Sequence, residues 1–411
     1  MKIPTKITNF IVYAIGQSIN LISPLIVMPY LMNICKENGL GKIGIAFSIS
    51  LILCCIVDYS SYLNGTKDIV INKKNNSYIN NIISNTYSYK IIIFGCISCL
   101  FLIGSLIFPN FYEKKLLLLS LPIVISQLIN PNWFLQGLEK FKVIASLNVI
   151  SKIIYIGCIF YFIKKQDDYI WANFYLGTSG IIVYIFFLFF YKKEYKISFK
   201  KINFKRGVQT LKADFNICVS EFCLSIYQYF PILIVGYFTG ASMAGLYRII
   251  EQIFSVFRTF TFMFFNFSYP TVCYDIEQNL KKGLKIWKLY HLANLFFITI
   301  GIIVILFSKN FILSYFHITT KDVSTFIEIL KIALIVPILL VISQALRQLM
   351  FAINLSRTYT HIIYLMCSLS IVLLSFFVNY YGLKGAFISM ITVELIIISL
   401  YSINIIKKIK A

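Results

Sequence analysis

Residues 7–35 read ITNFIVYAIGQSINLISPLIVMPYLMNIC, from Ile7 to Cys35, without one charged side chain. About 20 apolar residues cover the ~30 Å hydrocarbon core of a bilayer, so this stretch is long enough to cross it. Further charge-free runs are Ile91–Tyr112, Leu116–Leu138, Tyr169–Tyr191, Phe222–Tyr247 and Thr358–Leu383. Across all 411 residues 59% are hydrophobic and 13% charged, and the mean hydropathy is +0.80. A soluble domain is nearer half apolar and a quarter charged, so soluble, disordered, collagen-like and disulfide-scaffold classes are excluded. The sequence predicts an all-α polytopic membrane protein.

Twelve spans are expected, at 8–33, 43–63, 84–108, 115–136, 143–163, 169–191, 212–238, 243–270, 286–308, 326–351, 358–380 and 384–406. The longest polar connections are Gly65–Asn81 and Lys192–Leu211, so no appended soluble catalytic domain is expected. The net charge of +22 comes from Lys and Arg between the hydrophobic segments. That placement fits the positive-inside rule better than nucleic-acid binding. One set of alternate loops holds 23 Lys and Arg against 9 in the other, which predicts both termini in the cytoplasm. The remaining six basic residues fall inside spans. Most of the ten Cys lie within spans, where a thiol acts as a small apolar group, and no paired CxxC suggests a metal site. The first segment is too long for a cleaved signal and is expected to stay as a membrane helix.

Two short matches suggest an internal repeat. Pro122-Ile-Val-Ile-Ser-Gln127 resembles Pro337-Ile-Leu-Leu-Val-Ile-Ser-Gln344, and Pro24-Leu-Ile-Val-Met-Pro-Tyr30 resembles Pro231-Ile-Leu-Ile-Val-Gly-Tyr237. Their order implies two six-helix halves in parallel orientation, 1–200 and 201–411, a transporter architecture with the substrate pathway between the halves.

At the end of the fourth span stands Pro131-Asn-Trp133-Phe-Leu-Gln136-Gly137-Leu-Glu139-Lys140. This resembles the Pro-x-Trp-x-x-Gln-Gly-x-Glu signature of bacterial polysaccharide flippases, the O-antigen (Wzx-type) members of the MATE-like exporter superfamily. Gly39-Leu-Gly41-Lys-Ile-Gly44, Ala244-Gly245-Leu-Tyr247-Arg-Ile-Ile-Glu251 and Gly382-Leu-Lys-Gly385-Ala386 are similar to other turns of that family. The resemblance covers essentially the whole chain. It implies a MATE-like fold in the bacterial inner membrane and transport of undecaprenyl-pyrophosphate-linked oligosaccharides for surface polysaccharide or lipopolysaccharide O-antigen assembly. The lipid-linked glycan and membrane lipids are the implied partners, with polysaccharide polymerase and chain-length machinery as further ones. Read without the family, Trp133 through Lys140 looks like an interfacial anchor, with Trp at headgroup level where the span leaves the bilayer.

Ionisable groups inside spans are costly, roughly 2.5–3.5 kcal/mol on insertion scales, and usually face the bundle interior or a wet cavity. Arg248, Glu251, Ser255 and Arg258 share one helical face, as do Asp214, Glu221, Ser225 and Gln228. The tenth span presents Ser343, Gln344, Arg347 and Gln348, and the fifth Asn148, Ser151 and Lys152. Arg258, Arg347, Arg248 and Lys152 are therefore expected to line a cationic lumen, since Arg matches phosphate oxygens with a planar fork. For Arg248 with Glu251 a neutralised pair at a helix end is the other reading. Glu251, Glu221, Asp58, Glu394, Gln228 and Gln344 are the polar-lumen or ion-coupling candidates, with polar packing between helices as the alternative. His291, His317 and His361 are isolated, and no phosphate loop or metal helix is present. No enzyme activity, cofactor, metal or nucleic acid is expected. A multidrug cation exporter of the same fold is the rival, disfavoured by the buried cations; a membrane polysaccharide polymerase is disfavoured by the short outer loops.

Overall fold

A bilayer offers no water to unpaired backbone groups, so long apolar segments satisfy their N–H and C=O groups internally as helices. The computed structural model of the chain describes residues 5–72, 75–107, 113–191, 203–318 and 323–410, and no strand occurs among them. The basic stretch 192–202, Lys73, Lys74 and Lys321 lie outside the described residues, as does the side chain of Gln17.

The described chain divides into two compact units, Met1–Tyr229 and Phe230–Ala411. The first holds α1 (Thr5–Asp58), α2 (Thr66–Ile71), α3 (Asn76–Ile107), α4 (Lys114–Ile129), α5 (Asn132–Gly137), α6 (Phe141–Phe162), α7 (Ala172–Tyr191), α8 (Phe204–Ala213) and α9 (Phe215–Tyr229). A π-helical turn, Ser61–Gly65, separates α1 from α2. The second unit holds α10 (Pro231–Thr239), α11 (Ala241–Gln278), α12 (Leu280–Phe307), α13 (Lys309–Tyr315), α14 (Val323–Ala333), α15 (Ile335–Ala352) and α16 (Ser356–Lys410).

Among the described residues seven helical stretches are long and apolar enough to cross a membrane, or eight if the broken pair α9 and α10 forms one span. Two of them contain a single break. Lys36 interrupts α1 at φ 58°, between the expected first and second spans, and Gly382 interrupts α16 at φ 56°, between the last two. Left-handed backbone suits Gly and strains Lys, so the first turn is held by its surroundings rather than by its sequence. The expected seventh span is cut at Phe230, with Pro231 in the first turn of α10, where a missing N–H costs nothing.

In the first unit α4 packs along α7 and α1 along α6, while α15 packs on α16 and α11 on α12 in the second. Large side chains turn outward, as on a lipid-facing surface: Phe189 is 73% exposed and Phe307 87%. At Gly177 a Cβ would lie 2.3 Å from Ile123 N and from the Pro122 carbonyl carbon, so α4 and α7 meet backbone to backbone. Gly157 on α6 has open space around it. We therefore expect opposite signs from two matched substitutions. Gly177→Ala should destabilise by about 1–3 kcal/mol through overpacking, and Gly157→Ala should stabilise by about 0.5–1 kcal/mol. Thermal unfolding of the purified protein reads both; equal shifts would refute the close α4–α7 contact.

Asp168 caps the short turn that follows α6. Its Oδ2 accepts from Lys164 N at 2.9 Å and Lys165 N at 2.8 Å at the start of a 3-10 turn, Gln166–Trp171. Those two N–H groups hold its carboxyl below the usual carboxylate range.

Candidate functional site

Five helices of the first unit surround a cavity of about 440 Å³. From α1 come Asn20, Cys55 and Asp58; from α4, Gln127; from α6, Lys152; and from α9, Glu221. Its wall is mixed: Phe47, Leu51, Ile123 and Leu176 line it together with these polar and charged side chains. On α6 the spacing of Asn148, Ser151 and Lys152 sets all three on one face. Asn148 and Ser151 are buried, and Lys152 carries the positive charge into the cavity. Its Nζ lies 6.0 Å from the centre of the Tyr155 ring. Among the described residues no carboxylate stands within ion-pair distance of it.

Asp58 lines this cavity and is not alone. Lys90 Nζ, fully buried, lies 2.9 Å from Asp58 Oδ1, and Gln127 Nε2 donates to Asp58 Oδ2. The hydrogen bonds continue outward: Asn130 Nδ2 donates to Gln127 Oε1 at 3.1 Å, and Asn132 N to Asn130 Oδ1 at 2.9 Å. Asn132 Nδ2 then reaches Asn148 Oδ1 at 3.3 Å, one helical turn before Lys152. A continuous polar chain thus joins the buried ion pair, the turn containing Pro131 and the lysine face of α6. Sequence reasoning singled out neither Lys90 nor the roles of Asn130 and Asn132. The available signal for Lys90 was a lone cation one residue ahead of the charge-free run Ile91–Tyr112.

The Pro131–Lys140 motif is placed differently from the expected headgroup anchor. Trp133, Phe134 and Leu135 are each 0% exposed, so α5 is a packed corner rather than an interfacial belt. Thr66 Oγ1 donates to Trp133 O at 2.9 Å, and a Cβ at Gly137 would lie 2.8 Å from Ile69. Pro131 and Gly137 are buried, Gln136 is half-buried and Glu139 is exposed in a left-handed conformation. The physical reason is the sharp turn between α4 and α6. It folds the aromatic pair back under α2 and leaves Glu139 and Lys140 outside.

Asp214 does not share the cavity face of Glu221. It sits in the turn between α8 and α9, where Ser60 Oγ donates to its Oδ2 at 2.5 Å and Asn64 Nδ2 to its Oδ1 at 2.7 Å. Tyr59 Oη donates to Leu211 O at 2.5 Å beside them. These bonds tie the end of α1 to the α8–α9 junction. Glu221 and Ser225 line the cavity, whereas Gln228 is not among its lining residues.

In the second unit Glu251 is buried between two arginines, 2.5 Å from Arg248 and 3.6 Å from Arg258. Arg347 lies over the rings of Phe265, Phe351 and Tyr359, at 5.2–5.7 Å, and donates to Gln344 Oε1 at 3.2 Å. Neighbouring Gln348 donates to Ser268 Oγ at 2.9 Å and to Phe265 O at 3.1 Å. Its Oε1 therefore accepts from His291 Nε2, 2.8 Å away. Glu394 is buried on α16. Among the described residues no group of three or more His, Cys, Asp or Glu could hold a metal ion.

A helical membrane protein with an internal polar cavity, charged at a few fixed points, belongs to the class of multi-pass transporters. Residues 7–273 match the family described as "Polysaccharide biosynthesis protein", and the chain belongs to that family. A relative in Escherichia coli (strain K12), named for O-antigen transport, is 23% identical over 278 residues, 67% of each chain. Two solved structures share the fold. One is an inward-facing multidrug resistance MATE family transporter of the MOP superfamily (TM-score 0.71, 13% identity, 96% of each chain). The other is the lipid II flippase MurJ in an inward closed conformation (TM-score 0.71, 17% identity, 98% of this chain and 89% of that one). The expected MATE-like helical fold and the polysaccharide-transporter resemblance both hold at this level.

Proposed function

We propose that this chain flips undecaprenyl-pyrophosphate-linked oligosaccharide units from the cytoplasmic to the outer leaflet of the bacterial inner membrane, for surface polysaccharide or O-antigen assembly. The observation that carries the reading is Lys152, a cation without an acid partner among the described residues, in the cavity of a chain from the polysaccharide-biosynthesis family. An anionic headgroup supplies the charge that Lys152 lacks. Alternating access exposes the cavity to each side of the membrane in turn. Arg347 and the Arg248–Glu251–Arg258 cluster, two arginines against one glutamate, serve as further cationic contacts on the second unit. Asp58, Glu221 and Glu394 are the candidates for coupling the cycle to a proton or sodium gradient. Polymerase and chain-length machinery are the assembly partners of this reading.

Deleting the gene and resolving undecaprenyl-linked glycans by leaflet tests it. Complete repeat units should accumulate on the cytoplasmic side. A second reading, export of multidrug cations, draws on Asp58 and Glu221, which both line the cavity. It predicts unaltered glycans and new sensitivity to cationic drugs in the same strain.

We also propose twelve crossings in two six-helix halves, 1–200 and 201–411, with both termini cytoplasmic. The 23-to-9 charge asymmetry supports it. Reporter fusions after Lys200 and after Lys408 should report cytoplasm, and one after Lys165 periplasm. A periplasmic signal from the Lys200 fusion would overturn this topology.

A further inference from the structure

The first unit contains a second cavity, of about 280 Å³, which the transport reading does not use. It opens beside the polar connection between α1 and α3, and Ser60 lines both cavities. Asn64 of the π-helical turn, Asp68 of α2, Asn81 and Asn85 of α3, Arg206 of α8 and Asp214 supply its polar wall. Tyr78, 47% exposed, adds aromatic surface, while Tyr89, which also lines the cavity, is buried.

The hydrogen-bonding state of this wall is uneven. Both Asp214 oxygens are occupied by Ser60 and Asn64. Asn85 Nδ2 donates to Thr210 Oγ1 at 2.7 Å, yet Asn85 Oδ1 is buried without a partner. Among the described residues the Asp68 carboxylate, the Asn81 amide and the Arg206 guanidinium also have no hydrogen-bond or ion-pair partner. Partial desolvation at the cavity wall and the neighbouring Asp214 hold the Asp68 carboxyl above the usual range. The pocket thus offers acceptors at Asp68 and Asn85 and donors at Asn81 and Arg206.

We infer that this cavity is a carbohydrate-binding site that takes one neutral sugar ring. A sugar hydroxyl donates and accepts at once, which matches a wall carrying both kinds of unpaired group. A small anion meets two carboxylates here. A small cation meets Arg206 and an Asp214 whose oxygens are already engaged. The exposed Tyr78 ring suits the C–H face of a pyranose. The volume lies near the lower end for ligand pockets, ~300 Å³, so it fits one ring rather than a whole repeat unit. The inference rests on the glycan cargo proposed above, with the pocket holding one sugar of that cargo beside the Lys152 cavity.

Saturation-transfer-difference NMR on the purified full chain in nanodiscs tests it, with methyl glycosides of glucose, galactose, mannose, rhamnose and N-acetylglucosamine as probes at millimolar concentration. At least one glycoside should receive saturation. Asp68→Asn and Asn81→Ala should each weaken its binding by roughly tenfold, the loss of one good hydrogen bond. Lys152→Ala, in the other cavity, should leave it unchanged. Asp68 is exposed and Asn81 half-buried, so both variants are expected to fold, which monodisperse elution and an unaltered melting temperature check. No transfer from any probe, or transfer that survives both variants, would overturn the site. So would displacement by inorganic phosphate or magnesium chloride at constant ionic strength. The leaflet analysis of the deletion strain is independent: it can fail while a glycoside binds here, and it can succeed while none does.

Discussion

Replacing Lys152 with alanine is expected to abolish most glycan export while the protein remains inserted at its normal level. Lys152 faces the cavity, and no described carboxylate neutralises it, so its removal strands no buried acid. The loss should therefore appear in transport rather than in folding. A hydrogen bond to a charged group contributes ~1.5–3 kcal/mol, so headgroup binding should weaken by roughly ten- to a hundredfold. Lys152→Arg retains the charge and should keep partial function, limited by the bulk of the planar guanidinium. Arg258→Ala should cost less, because Glu251 keeps Arg248 at 2.5 Å when Arg258 is gone. Surface-glycan output divided by protein abundance decides the matter. Normal output per molecule from Lys152→Ala would remove the lysine from the headgroup site.

The helical membrane class was legible because it rests on length and composition alone. Charge-free runs such as Ile7–Cys35 and Thr358–Leu383 have one stable form in a bilayer. The site was legible in part. Lys152, Asp58 and Glu221 stand out as ionisable residues in apolar segments, and all three line one cavity. Lys90 was not legible as a site residue: it lies just ahead of the charge-free run Ile91–Tyr112, from where a lysine ordinarily snorkels to the interface; here it is fully buried against Asp58. Trp133 misled for the opposite reason. Its position before Glu139 and Lys140 fits an interfacial belt, and only the fold of the α4–α6 corner turns the indole inward. Asp214 shares a helical period with Glu221 only if one helix runs through both, and the turn at Asp214 ends α8 before α9 begins. Periodicity cannot register such a break. Pro231, inside the expected seventh span, did carry the signal for its interruption.

The largest stability effect should come from the Asp58–Lys90 pair, and it should be asymmetric. Removing one partner of a buried pair usually costs about 3–5 kcal/mol, because the other charge is left uncompensated. The two partners differ in what remains to them. Lys90 is 0% exposed and Asp58 is 20% exposed toward the cavity. After Lys90→Met the carboxylate retains Gln127, with Ser61 Oγ at 3.4 Å, and cavity water can hydrate it. After Asp58→Asn the ammonium has neither a counter-charge nor water. Asp58→Asn should therefore lower the unfolding temperature further than Lys90→Met. The double variant, which buries no charge, should recover most of the loss. Thermal unfolding of the purified wild type, both single variants and the double variant gives the cycle directly. Transport measured on the double variant separates two roles for Asp58. Recovered stability with recovered export makes the pair a packing device, whereas recovered stability without export makes the carboxylate a participant in the transport cycle. Additive losses in the double variant would refute the pairing itself, since two independent sites have no reason to compensate each other.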